Sequence, residues 1–197
     1  PLGPMLDIHS MTAVRLDETE AQIIIIGAKF RATFNRKKGE LSSFTYNNFE
    51  LIKNGPALNV WRAPTDSDAP RLAPIWRSFG LDNIKHEVKS VIAIRVAPQI
   101  VKVIVASLAR APGIAEGFEC NYIYTIYGSG DIVIEMDISP SLRIPSLPRI
   151  GLQMTIPGKY NTFSWFGRGP HENYCDRKES TLVRIYHTKV SEQYVPY

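Results

Sequence analysis

Apolar residues recur at every second position through most of this chain, and that spacing constrains its fold more than any other feature. Ile132, Ile134, Met136 and Ile138 alternate with Val133, Glu135, Asp137 and Ser139. A period of two belongs to a β-strand with one buried face, because successive side chains point to opposite sides of a sheet. Tyr122, Tyr124 and Ile126 fall on one face of a preceding strand, with Ile123, Thr125 and Tyr127 on the other. Gly128-Ser129-Gly130-Asp131 lies between the two runs and reads as a hairpin turn.

The same logic predicts further strands. One hairpin runs through residues 28–34, turns over 35–39 and returns over 40–46. Another uses residues 91–97 and 100–108, broken at Pro98-Gln99, since proline cannot donate to a ladder. Residues 151–156, 162–166 and 182–187 complete the set. Pro74-Ile75-Trp76-Arg77-Ser78-Phe79, closed by Gly80, is the one segment that suits a short helix. Pro140 to Pro148 is a long connection. The expectation is an all-β chain, an antiparallel β-sandwich of about ten or more strands with at most one short helix.

Composition narrows the function classes. With 197 residues, 44% of them hydrophobic and 21% charged, the chain can bury a core and is not disordered in character. No purely aliphatic run exceeds four residues, as in Ile23-Ile24-Ile25-Ile26, far short of the roughly 20 residues of a membrane helix. The net charge is +4, and no like-charge block exceeds Arg36-Lys37-Lys38. A nucleic-acid surface would need a denser basic stripe. Cys120 and Cys175 suit neither a disulfide framework nor a zinc site. Two free thiols in a reducing, cytoplasmic compartment are the simpler expectation. Pro1-Leu2-Gly3-Pro4-Met5 reads as a protease-cleavage scar left by an expression tag, with one sandwich domain over residues 6–197.

Two segments break the alternation. Each leaves a strand and enters a loop, where sandwiches usually carry function. The first is Trp61-Arg62-Ala63-Pro64-Thr65-Asp66-Ser67-Asp68; the second runs from Trp165 to Arg177. Gly167-Arg168-Gly169 invites a phosphate cradle, but Pro170 removes a donor and the fingerprint is incomplete. Glu172 and Asp176 invite a glycosidase acid/base pair, whose carboxylates stand about 5–10 Å apart. Arg177 and Arg62 argue against that, because a guanidinium keeps a carboxylate ionised. His171 lacks the companions of a metal site. A polar knot of Arg62, Asp66, Asp68, Glu172, Asp176 and Arg177 that fastens the loops is the plainer reading. Trp61, Trp165, Phe166 and Tyr174 suit either a rim of the core or a sugar platform.

These blocks also carry a resemblance. Asn59-Val60-Trp61-Arg62-Ala63-Pro64-Thr65-Asp66-Ser67-Asp68 resembles the N-x-W-R-A-P-T-D-N-D block of the large β-galactosidases of glycoside hydrolase family 2. Pro148-Arg149-Ile150-Gly151 resembles their P-R-x-G strand. The run from Trp165 to Arg177 is similar to their W-x-G-x-G-P-x-E-x-Y-x-D-R block, and Tyr194-Val195-Pro196-Tyr197 to their Y-x-x-P-Y step. Order and spacing agree over roughly residues 20–197. The matching region is the N-terminal part of the family's last, small-chain domain, a supersandwich similar in fold to galactose mutarotase.

The resemblance implies that this chain is a fragment of a multidomain enzyme that hydrolyses terminal β-galactosides. Both catalytic glutamates of the family lie on a separate (β/α)₈ barrel, so none of the residues here is implied to be catalytic. Trp61, Arg62, Asp66, Asp68, Trp165, Glu172, Tyr174, Asp176 and Arg177 are implied as rim or loop-anchoring residues. No cofactor or metal is implied in this chain; magnesium and sodium of the family lie mainly on other domains. The implied partners are the other domains or large chain of the same enzyme, and its galactoside substrate. The segment Ala69-Pro70-Arg71-Leu72-Ala73-Pro74 is short and proline-bearing where the family has a mobile loop, which implies a stiffer rim. A stand-alone carbohydrate-binding or mutarotase-like module is the alternative. Exposed edges and an uncovered Ile23–Ile26 run would favour pairing with another copy.

Overall fold

The computed structural model describes residues 6–174 and 177–194. The tag-scar reading of residues 1–5 lies outside them, as do Cys175, Asp176 and residues 195–197. The chain divides into two compact units, Pro1–Ile156 and Pro157–Tyr197.

In the first unit, β1 (Arg15–Glu18), β2 (Gln22–Ile26), β3 (Phe30–Asn35), β4 (Glu40–Tyr46) and β5 (Phe49–Ile52) make an antiparallel meander in chain order. β6 (Asn54–Asn59) and the helix α1 (Leu72–Ser78) follow. A second meander of β7 (Lys85–Ala97), β8 (Ile100–Arg110), β9 (Phe118–Tyr127) and β10 (Ile132–Pro140) has the order β10-β9-β8-β7. β11 (Gly151–Thr155) then returns to pair with β6. The β9–β10 hairpin pairs Tyr124 with Ile134 and Tyr122 with Met136, as the alternation requires.

The two large sheets face each other across one core. Ile23, Ile25, Ala32, Phe34 and Leu41 come from the five-stranded sheet, and Val101, Val103, Val105, Tyr122, Tyr124 and Ile126 from the four-stranded one. Phe34 and Tyr124 meet edge to face with ring centroids 5.0 Å apart, the geometry that opposes a positive ring edge to a negative face. Burial pushes the phenols of Tyr122 and Tyr124 up, so both stay neutral and serve as hydrogen-bonding groups. Tyr122 Oη accepts from Leu58 N at 2.9 Å, and Tyr124 Oη donates to the Pro56 carbonyl at 3.2 Å. Both bonds tie the four-stranded sheet to β6.

The expectation that Ile23–Ile26 lies uncovered is corrected. The run is β2, with Ile23 and Ile25 fully buried and Ile24 and Ile26 half-buried. Ile23 and Ile25 point into the core shared with the four-stranded sheet, β1 and β3 pair both edges of the strand, and four β-branched residues suit such an interior position. The helix begins at Leu72, two residues before the expected start. Pro74 fits there because the first-turn amides have no intrahelical acceptor to lose. The expected loop over residues 69–74 is therefore partly a helix start.

A further hairpin was not foreseen. Asn47 and Asn48 join β4 to β5 with φ of 49° and 66°, the doubly left-handed conformation of a tight two-residue turn.

The second unit is built on one antiparallel hairpin, β12 (Thr162–Gly169) and β13 (Leu182–Lys189), in which Trp165 stands opposite Tyr186. β12 runs on through Gly167-Arg168-Gly169, so the glycines lie in a ladder and form no cradle. A Cβ at Gly169 would come within 2.9 Å of both the Trp165 and the Tyr186 rings. Glycine in this strand is thus the residue that lets two aromatic rings close over the backbone.

Candidate functional site

The first motif forms a tight polar loop between β6 and α1, centred on Asp68. Its Oδ2 accepts from Arg62 Nη1 at 2.6 Å, from Thr65 N at 2.8 Å and from Thr65 Oγ1 at 2.9 Å. The Asp68 carbonyl accepts from the backbone N–H groups of Arg71, Leu72 and Ala73, and so launches α1. Asp68 is 7% exposed. The Arg62 hydrogen bond holds its carboxyl down at about 2, against the opposing effect of burial, with the Thr65 donors adding to the shift. A carboxyl so acidic stays ionised and is no proton donor near neutral pH.

Arg62 is fixed on every side. Its Nε donates to the Pro148 carbonyl at 2.9 Å and its Nη1 also to the Ala63 carbonyl at 3.1 Å. Its guanidinium lies 5.4 Å from the centre of the Trp76 ring, in cation–π range. Trp76 is buried and donates Nε1–H to the Ser146 carbonyl at 2.7 Å. Trp61 meets Trp76 edge to face at 6.3 Å, and the Arg77 guanidinium stands 5.7 Å from the Trp61 ring centre. The connection over residues 141–150 is thereby clamped to the motif loop. Asp66, by contrast, is exposed at the loop's outer side.

The second motif has its own geometry. Phe163, Trp165 and Tyr186 stack in a row, with centroids 5.2 Å and 5.3 Å apart and planes within 26° and 27°. Trp165 donates Nε1–H to the Arg168 carbonyl at 3.0 Å. Arg168 Nη1 donates to the Lys178 and Thr181 carbonyls at 2.8 and 2.9 Å, drawing the loop back onto β12. Arg177 Nη2 donates to Glu172 Oε1 at 3.4 Å, and its guanidinium lies 5.9 Å from the Tyr174 ring centre. A groove of about 610 Å³ lies beside the stack, with Trp165, Tyr186, His171 and Glu172 among its lining residues. A flat apolar wall beside carboxylate, amide and imidazole groups is chemistry that suits a hydroxylated ligand.

Sequence reasoning singled out Arg62, Asp68, Trp61, Trp165, Glu172, Tyr174 and Arg177, and each sits in one of these two arrangements. Asp176 lies outside the described residues. Thr65, Arg168 and Tyr186 were not singled out. The T-x-x-D spacing, close to that of a capping box, marks Thr65. Tyr186 needed the strand register, which no local pattern supplies. Among the described residues, no three His, Cys, Asp or Glu side chains gather closely enough to hold a metal ion. Cys120 is buried, and burial pushes its thiol up, which makes it inert. No helix among the described residues is long and apolar enough to cross a membrane.

Comparison with known proteins identifies the family. The family model described as beta galactosidase small chain matches residues 26–197. A beta-galactosidase of Priestia megaterium is 34% identical over 187 residues, 94% of this chain and 18% of its own length. A beta-galactosidase of Vibrio cholerae is 31% identical over 83% of this chain and 17% of its own length. One from Kluyveromyces lactis is 25% identical over 93% of this chain and 18% of its own length. The chain thus spans less than a fifth of the length of these relatives, and it belongs to the beta-galactosidase small chain family.

Proposed function

We propose that this chain works as the small-chain domain of a larger retaining β-galactosidase of glycoside hydrolase family 2, which hydrolyses terminal non-reducing β-D-galactose residues. The observation that carries this reading is the pattern of coverage: β-galactosidases match 94% of this chain, yet the match occupies 18% of the relative. The chemistry agrees. Asp68 is locked to Arg62 and is no general acid near neutral pH, and Glu172 is paired with Arg177. In this reading the catalytic glutamates belong to another domain of the parent. The stacked rings and the clamped motif loop shape the rim and pack on the rest of that enzyme. Magnesium and sodium of the parent would sit on its other domains, and its compartment would be the cytoplasm. Its partners are the remaining polypeptide and, through it, a galactoside.

Size-exclusion chromatography with the remaining polypeptide of the parent tests the assembly. The expected result is co-elution of the two parts. Separate elution at concentrations well above micromolar would argue against a packing role.

A further inference from the structure

A cleft in the first unit runs along β6 and β11, and of the two motifs only Trp61 reaches it. It encloses about 370 Å³, and its walls include Asn59, Trp61, Asp82, His86, Gln153 and Glu40. Its inner end adjoins a chamber of about 40 Å³ that shares Glu40 and His86 and reaches Ser107.

Ser107 is the residue that needs explaining. β8 sends Val101, Val103, Val105, Ser107 and Ala109 inward, all of them buried. Ser107 is 4% exposed, and its Oγ has no hydrogen-bond partner. An orphaned buried hydroxyl costs about 1–3 kcal/mol, which a valine there would avoid. The chamber beside it is larger than the ~10–15 Å³ that one water oxygen occupies.

The outer cleft is polar but nearly charge-balanced. Glu40 faces Lys38 at 3.5 Å, and Asp82 faces Arg77 at 4.0 Å. Both carboxylates keep lone pairs for hydroxyl donors while their charge is already met. Burial pushes His86 down, against a hydrogen bond to the Leu58 backbone, so its ring is neutral near pH 7, with its donor held by Leu58 and one nitrogen left to accept. Asn59 Nδ2 donates to Gln153 Oε1 at 2.5 Å, and Asn59 Oδ1 accepts from Trp61 N at 2.7 Å. That leaves the Gln153 amide protons for a ligand. Trp61 supplies an apolar wall that Trp76 and Arg77 hold in place. An anion would meet two carboxylates, and a cation would compete with Lys38 and Arg77. A neutral polyol matches the whole set.

We propose that this cleft is a binding site for a single neutral pyranose, seated between Trp61 and Gln153, with an ordered water in the inner chamber joining the ligand to Ser107. The site is distinct from the Arg62–Asp68 loop and from the groove of the second unit, and it does not depend on the activity of the parent.

The test uses the whole chain and methyl β-D-galactopyranoside, followed by two-dimensional amide NMR. Saturable shifts at Asn59, Asp82 and Gln153 are expected at millimolar sugar. Gln153→Ala should weaken binding by about tenfold, the loss of one or two hydrogen bonds. Ser107→Val fills the chamber; it should leave thermal stability equal or higher and still weaken binding by several-fold. Shifts confined to Trp165 and Tyr186, no saturable shifts at all, or a Ser107→Val chain that binds as well as wild type would each overturn the proposal. Because hydrolysis is not the readout, such a failure leaves the β-galactosidase reading intact.

Discussion

Replacing Asp68 with alanine should destabilise the first unit by about 3 kcal/mol, the lower end of the cost of breaking a buried ion pair. Three hydrogen bonds end on Asp68 Oδ2, from Arg62 and twice from Thr65. The side chains of Arg62 and Asp68 are only 22% and 10% exposed, so solvent screens the pair weakly. An independent route gives a similar size. The carboxyl is displaced from 3.8 to about 2, which corresponds to roughly 2.5 kcal/mol by linkage. Asp68→Asn retains an acceptor oxygen but not the charge, and should cost about 2 kcal/mol.

Urea denaturation followed by tryptophan fluorescence reads this out. A Trp165→Phe background leaves Trp61 and Trp76, both in the first unit, as reporters. The sign of the pH dependence is fixed by the depressed carboxyl. Its contribution is fully present above 3.8 and is lost as the pH falls toward 2, so wild type and Asp68→Asn should converge over that window. A difference below about 1 kcal/mol at neutral pH, the value of an ordinary surface pair, would refute the reasoning. So would a difference that persists unchanged through acidification.

Three other outcomes follow from the packing. Ile25→Ala should cost about 2–5 kcal/mol, measured by the same urea titration, because Ile25 is fully buried in β2; a cost near zero would restore the view of an uncovered run. Gly128→Ala should be strongly destabilising in a thermal melt, since the new Cβ would lie 2.0 Å from the Thr12 carbonyl oxygen. His86, half-buried with its pKa lowered mainly by burial, must take up a proton on unfolding near its ordinary value of 6.5. Stability should therefore be full above that value and decline as the pH falls below it, and His86→Gln should flatten this slope.

Much of the fold was legible because period-two patterns report directly on which face of a strand is buried. The β9–β10 hairpin is the clearest case: alternating residues set the register and Gly128 to Asp131 set the turn. What escaped was fixed by long-range geometry. The burial of Ile23 and Ile25 depends on the four-stranded sheet that faces β2, and a short aliphatic run does not by itself reveal what it packs against. Asn47-Asn48 carries a local turn signal, since asparagine tolerates the left-handed conformation that both residues adopt. At the candidate site, residue types pointed to Arg62 and Asp68, but their partners at Pro148 and Trp76 lie far along the chain. Gly167 and Gly169 looked like loop glycines; the rings of Trp165 and Tyr186 explain why Gly169 belongs in a strand instead.

The most direct test of the account is the rate of hydrolysis of a chromogenic β-galactoside by three samples: this chain alone, the remaining polypeptide of the parent alone, and the two together. The account predicts no enzyme-like turnover by this chain, little by the remainder, and recovered activity on mixing. Enzyme-like turnover by this chain alone, or full activity of the remainder without it, would contradict the claim that it is a non-catalytic domain on which the parent's active site depends.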